Sequence, residues 1–163
     1  MRATLDLYRE AWGRFATGVT IVSTQEPNGN IHAMTASGVA SLSLNPMLAL
    51  VTVDHRTHTY QYIQNSERFG ISILNETQQA IAAYYAHPPE RRTGEPPGKF
   101  IRTDHGIGII DGALATLDCR IVSHLQAGDH TIYIGEIDDI VLADGRPLVY
   151  YSRGWYNLPD NSQ

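Results

Sequence analysis

Small hydroxyl and apolar side chains alternate between Ala33 and Pro46. Side chains of a β-strand point to opposite faces in turn, so a strand here would have one apolar face and one face of mostly short hydroxyls. Neither face carries a charge. Short hydroxyls and a glycine let a flat or phosphorylated ligand approach the backbone closely, although a Ser/Thr-rich strand with a plain solvent face is an equal alternative. The hydroxyl face has Thr35, Ser37, Val39, Ser41 and Ser43, and the apolar face has Met34, Ala36, Gly38, Ala40, Leu42 and Leu44.

Helical spacing of Leu5, Tyr8, Trp12 and Phe15 predicts a short amphipathic helix at the N-terminus, with Thr4 as its N-cap. A second short helix is predicted over 55–65. A third begins at a capping box formed by Asn75 and Gln78 and continues through Ile81 and Tyr85.

Strands are predicted where β-branched and apolar residues cluster, at 18–24, 47–53 and 69–74. Asn28-Gly29 predicts a type I′ hairpin that leads into the alternating stretch. The proline- and glycine-rich segment 87–112 is interpreted as a long loop.

Alternation returns from Leu117, and the chain turns at 127–129 into a strand over 130–142 that is bulged at Gly135. Asp144-Gly145 predicts a second tight hairpin into 148–151. Several strands joined by hairpins, with few helices, predict an antiparallel β-barrel. A doubly wound nucleotide-binding fold is excluded because strands and helices do not alternate and no glycine-rich phosphate turn is present.

Composition narrows the class of protein. The 163 residues fit one domain, 1–163, and 42% hydrophobic with 18% charged residues is an ordinary globular composition. The net charge of −5 argues against a nucleic-acid or anionic-membrane partner. One cysteine, no signal peptide and no long apolar run lead us to expect a cytoplasmic protein.

Candidate chemistry lies mainly after the buried strand. His55 and His58 have the spacing of half a zinc site, but no second pair completes it, so no metal is expected. Hydroxyls and cations over 55–59 stand at a predicted helix N-terminus, where amides and the helix dipole favour a phosphate. His130 stands at a hairpin tip, and Arg153 lies beside two aromatic residues near the C-terminus.

Taken in order, these fragments resemble a known family. Over residues 10–158 the chain resembles the flavin reductase-like family of the FMN-binding split barrel, the reductase component of two-component flavin monooxygenases. The resemblance implies a mainly β fold, an antiparallel six-stranded Greek-key split β-barrel with a few flanking helices. The fragments are 13–22, Met34-Thr35-Ala36-Ser37, 41–46, Lys99-Phe100, Leu117-Asp118-Cys119, Gly128-Asp129-His130, Gly135-Glu136 and 151–156.

The resemblance also implies roles for individual residues. Flavin would be lined by hydroxyl-bearing and small residues, bordered by backbone groups of the buried strand and held at its phosphate by the following helix. His130 would lie near the nicotinamide as the catalytic residue, with Arg153 and Tyr156 binding the dinucleotide. The implied flavin contacts are Thr35, Ala36, Ser37, Gly38, Ser41, Thr52, Val53, Asp54, Thr57, His58, Thr59, Lys99 and Phe100.

The implied activity is hydride transfer from NADH or NADPH to FMN or FAD, by a homodimer that supplies reduced flavin to a partner monooxygenase. Two alternatives are a flavin-binding or electron-transfer protein without reductase turnover, and an oxidase similar to pyridoxamine phosphate oxidases. Gly38-Val39 replaces the commoner Ser-Phe of the family, which predicts extra room beside the flavin ring.

Overall fold

The computed structural model describes residues 2–159, which form a mainly β protein with three α-helices. The helices are α1 (Leu5–Gly13), α2 (His58–Ser66) and α3 (Gln79–Tyr85), and two 3-10 turns lie at Glu76–Gln78 and Pro89–Arg91. The strands are β1 (Thr17–Gly18), β2 (Thr20–Gln25), β3 (Ile31–Ala36), β4 (Val39–Leu44), β5 (Met47–Asp54), β6 (Arg68–Ile73), β7 (Phe100–Arg102), β8 (Gly108–Ile110), β9 (Ala115–Ala127), β10 (His130–Leu142), β11 (Leu148–Tyr151) and β12 (Gly154–Asn157).

The main sheet has seven antiparallel strands in the order β3-β2-β6-β9-β10-β5-β4, one more than the six expected. Its two edge strands, β3 and β4, are consecutive in the chain and are separated only by Ser37 and Gly38. The sheet must therefore coil until its edges come close together, as in a barrel split along one side. Small sheets of β1-β11-β12 and β7-β8 flank it.

The expectation of one continuous strand from Ala33 to Pro46 is wrong, because the chain leaves β2 at Ala36 and joins β5 from Val39. The Thr20 hydroxyl donates to the Ala36 carbonyl at 2.7 Å, and the Thr52 amide donates to the Gly38 carbonyl at 2.8 Å. The bend at 37–38 thus spans the split.

Two apolar clusters lie on opposite faces of the main sheet. Ile21 and Val22 are neighbours in β2, so their side chains point to opposite faces, and each belongs to a different cluster. The cluster with Val22 fills the barrel, where Ile63 of α2 is fully buried beside Phe69. The cluster with Ile21 packs beneath α3. By contrast, α1 buries none of its side chains, and Trp12 is 56% exposed.

A buried ionic network fastens the segment 103–107 to β9. Asp118 is 1% exposed, and its Oδ1 accepts from Arg68 Nη2 at 2.8 Å. Its Oδ2 accepts from Thr103 Oγ1 at 2.5 Å and faces His105 Nδ1 at 3.0 Å. Burial alone would raise the pKa of Asp118, but these hydrogen bonds outweigh it and hold that pKa below its usual range.

Several predicted local features are confirmed. As predicted, Thr4 caps α1 through its side chain, and Asn75 with Gln78 forms the capping box. The side chain of Thr57 caps α2 in the same way. The register of β10 shifts at Gly135, as expected for a bulge. No helix within residues 2–159 is long and apolar enough to cross a membrane.

Three turn and loop predictions are wrong. Only Gly29 of the first hairpin turn has a positive φ, of 86°, whereas a type I′ turn needs two such residues. The Asp144-Gly145 turn joins two different sheets, since β11 pairs with β1 and β12. The segment 87–112 is not only a loop, because it contains the β7-β8 hairpin and a 3-10 turn. In addition, strand β12 was not predicted.

Candidate functional site

The carboxyl end of β5 is the point where most of the candidate residues meet. Thr52 is bonded to Gly38 on the β5 side of the split, and Asp54 lies opposite His130 of β10 in the sheet register. The Asp54 carbonyl accepts from the Thr57 hydroxyl at 2.8 Å, which turns the chain into α2. The split of the barrel, the tip of the β9-β10 hairpin and the start of α2 therefore adjoin one another.

The hydroxyl-bearing bend does not present all its groups freely. Thr35 donates its hydroxyl hydrogen to the Ala82 carbonyl of α3 at 2.6 Å. Ser37 is exposed in the bend, and Ser41 is exposed on β4. Val53 is fully buried in the barrel, so only its backbone could face a ligand.

Gly38 has a different role from the one expected. A Cβ atom built on it would lie 2.0 Å from Oγ1 and 3.3 Å from Cβ of Thr52. The space that its missing side chain leaves is therefore occupied by Thr52, and Val39 packs against the barrel core. Extra room beside a ligand does not follow from this pair of residues.

The start of α2 combines free donors with occupied hydroxyls. Thr57 gives its one hydroxyl hydrogen to Asp54, and the buried Thr59 hydroxyl is paired with His32 Nε2 at 3.0 Å. The first amides of a helix have no carbonyl within the helix to bond. Because the Tyr60 amide bonds to Thr57, the donors that this turn can offer an anion are the amides of His58 and Thr59 and the half-exposed ring of His58.

Charges around the hairpin tip are paired. Hydrogen bonds from Arg56 to both carboxylate oxygens of Asp54 lower the pKa of Asp54 to about 2, so it stays ionised at neutral pH. His130 Nδ1 lies 2.7 Å from Asp129 Oδ1, and this hydrogen bond lowers the pKa of Asp129. The ring of His130 is thus oriented by its neighbour while remaining partly exposed.

The segment after α3 approaches the site from β3. Arg92 donates to the Ala33 carbonyl at 2.8 Å, and Glu90 Oε1 lies 3.1 Å from His58 Nε2. Lys99 is exposed just before β7, and Phe100 packs edge-on against Tyr85 at 5.7 Å between ring centres.

The C-terminal strands contribute to a small cavity rather than to the hairpin tip. Arg153 is exposed in the β11-β12 turn with a φ of 65°, and Tyr156 packs against Tyr151. The residues that reach the cavity, Tyr150 and Trp155, were missed because aromatic residues at strand spacing are typical of packing. This cavity of about 210 Å³ is lined by Thr17, Gly18, Val19, Thr35, Ala36, Ser37, Ala86, Tyr150 and Trp155.

A larger cavity of about 730 Å³ lies between α2 and the β9-β10 hairpin. Thr131 and Tyr133 line it. The side chain of His130 points to the opposite face of β10, since successive strand residues alternate. Within residues 2–159 no cluster of three or more His, Cys, Asp or Glu side chains could bind a metal ion.

The donor set fits a phosphorylated planar ligand. Small residues and aromatic rings flank the bend at 35–37, while amides and His58 stand at the start of α2. The absent side chain at Gly38 brings β5 against that bend, so a ligand could contact both at once. These features suit a flavin ring with its phosphorylated chain.

Comparison with known proteins identifies the family. The protein-family model described as "Flavin reductase like domain" matches residues 12–159, and the chain belongs to this family. The NADH-dependent flavin reductase of a Rhodococcus species is 37% identical over 155 residues, covering 92% of this chain and 84% of that protein.

Another relative and a solved structure support the same family assignment. The 4-hydroxyphenylacetate 3-monooxygenase reductase component of Thermus thermophilus is 33% identical, with coverage of 94% of this chain and 96% of that protein. The structure of the flavin reductase PheA2 in its native state superposes with a TM-score of 0.88 at 36% identity, covering 97% of this chain and 100% of that one. The expected family and the mainly β fold with antiparallel sheets are therefore confirmed.

Proposed function

We propose that this protein is an NADH-dependent flavin reductase that transfers hydride to FMN or FAD. Family membership supports the reaction class. The structural observation that carries the proposal is the meeting of the barrel split, the end of β5 and the start of α2. This arrangement offers a flat pocket wall beside an anion-binding helix start.

In this proposal the flavin lies along the split. Thr35, Ala36, Ser37 and Gly38 form one wall together with Ser41, and the backbone of Thr52, Val53 and Asp54 borders the ring. His58 and the first amides of α2 bind the phosphate, while Thr57 and Thr59 hold that turn in shape through Asp54 and His32. Lys99 and Phe100 flank the flavin from the segment after α3.

We assign the nicotinamide to the neighbourhood of His130, with Arg153 and Tyr156 binding the dinucleotide. A bound flavin supplies the hydride acceptor, so the protein's task is to align two rings rather than to donate or remove a proton. Asp129 orients the His130 ring through its 2.7 Å hydrogen bond. The ionised Asp54 opposite it keeps the hairpin tip polar.

The test is anaerobic mixing of the purified protein with flavin and reduced nicotinamide while the absorbance of oxidised flavin is recorded. Four combinations, FMN or FAD with NADH or NADPH, define the substrates. We expect bleaching with NADH. A protein that binds flavin and stays yellow with both nicotinamides would be a flavin carrier instead, and the reductase proposal would fail.

We further propose a single-domain protein that acts in the cytoplasm as a homodimer and passes reduced flavin to a partner monooxygenase. Relatives named as monooxygenase reductase components support the partner. Large apolar side chains are exposed on α1 and at the C-terminal end of β10, for example Trp12 and Leu142, and they support a second subunit. Sedimentation at micromolar concentration tests this assembly.

A further inference from the structure

Residues 88–92, called the strap here, connect two parts of the proposed flavin site. At one end, Arg92 donates to the Ala33 carbonyl of β3 and to the His87 carbonyl, each at 2.8 Å. Its guanidinium also lies 4.9 Å from the centre of the Tyr85 ring. Two hydrogen bonds and a cation–π contact therefore anchor the strap beside the hydroxyl-bearing bend.

At its other end the strap places a carboxylate on the start of α2. Glu90 Oε1 lies 3.1 Å from His58 Nε2. A carboxylate oxygen only accepts hydrogen bonds, so at this ion-pair distance Glu90 attracts the ring whenever His58 carries a hydrogen at Nε2. Glu90 is 63% exposed, which means that this contact can open without disturbing the core.

This carboxylate lies beside the ring nitrogen that the proposed function gives to the flavin phosphate. One N–H cannot serve a carboxylate and a phosphate fully at the same time, and two anions at one helix start repel each other. We propose that Glu90 sets the affinity for phosphorylated flavins by competing with the phosphate for His58. The inference rests on the proposed function.

The chemical class of ligand that feels this competition is a flavin with a phosphate at the end of its ribityl chain. FMN carries a terminal phosphate and riboflavin carries none. Competition at His58 therefore weakens FMN binding and leaves riboflavin binding nearly unchanged. Weaker retention of the phosphate would also speed flavin exchange, as a protein that hands its flavin to a partner requires.

The variant Glu90→Gln tests this in the full chain, with dissociation constants for FMN and riboflavin measured by flavin fluorescence. An exposed charge contact of this kind predicts roughly three- to tenfold tighter FMN binding. We expect riboflavin affinity to stay within about twofold, since it has no phosphate to compete. The matched control is Glu95→Gln, which removes the same charge from an exposed site in the same segment and should change neither constant.

A second background isolates the partner residue. In His58→Gln the donor for which both anions compete is altered, so adding Glu90→Gln should give much less than its effect in the parent protein. Unchanged FMN affinity in Glu90→Gln would overturn the inference. Equal tightening of FMN and riboflavin, or an equal effect of Glu95→Gln, would also overturn it.

Failure of this inference can be separated from failure of the proposed function. If the parent protein bleaches flavin with NADH and Glu90→Gln leaves FMN binding unchanged, only the role of Glu90 is wrong. If the parent protein binds no flavin at all, the proposed function fails, and the inference falls with it.

Discussion

Replacing Gly38 by alanine tests whether this glycine accommodates the Thr52 side chain or makes room for the ligand. In the folded protein the added methyl group would lie 2.0 Å from Thr52 Oγ1, whereas ordinary contact begins at 3.4 Å. Either the Thr52 side chain rotates or the bend at 37–38 moves away from β5. The second route would strain the 2.8 Å hydrogen bond from the Thr52 amide to the Gly38 carbonyl.

The magnitude follows from the closeness of this contact. Inserting a methyl group into a filled site costs about 1–3 kcal/mol. Thr52→Ala removes Oγ1 but leaves the backbone hydrogen bond, so Gly38→Ala should cost under about 1 kcal/mol in that background. The two substitutions are therefore expected to couple by about 1 kcal/mol or more.

Urea denaturation of the parent, both single variants and the double variant measures the coupling. Gly18→Ala is the control, because no heavy atom lies within 4 Å of a Cβ built there. Its stability should stay within about 0.5 kcal/mol of the parent. Additive losses, or a Gly38→Ala variant of unchanged stability with weakened flavin binding, would refute this reasoning and indicate that the glycine makes room for the ligand.

Two further predictions concern buried titratable groups. Asp118→Asn should lower the free energy of unfolding by about 2–4 kcal/mol, because Arg68 loses a buried ionic partner. The control Glu136→Gln removes a charge from the exposed Arg120–Glu136 pair and should cost under about 1 kcal/mol. Equal losses of the two variants in urea denaturation would contradict this prediction. Burial lowers the pKa of His32 from 6.5 to about 4, so the unfolded chain takes up a proton that the fold resists. Stability should fall as pH drops from 7 to 4, by up to about 3 kcal/mol from this residue, and His32→Gln should show a shallower decline; an unchanged pH profile would contradict it.

Local chemistry made much of the fold predictable. Thr57 and the Asn75–Gln78 box cap their helices through contacts within a few residues, which the sequence displays directly. The break at 37–38 is different, because it depends on β5 and β2 lying at the two sides of the split. Alternation along one segment contains no information about such distant partners, so two strands read as one.

The candidate site was predictable in position more than in detail. Residue types indicated hydroxyls at 57 and 59, yet their hydrogen bonds to Asp54 and His32 depend on the folded neighbours. The contact between Glu90 and His58 joins residues 32 positions apart and leaves no local pattern. Tyr150 and Trp155 reach the bend at 35–37 only because β11 pairs with both β1 and β12.

The side chains of α1 are exposed, so packing within the chain does not stabilise this helix. A nine-residue helix has little stability of its own in water, and α1 buries none of its side chains against the rest of its chain. In the proposed homodimer, association supplies this order by covering Trp12 and Tyr8 with the second subunit. In that case α1 is a sensor of assembly: the helical content and tryptophan emission per chain should change on dilution, at the concentration where the subunits separate.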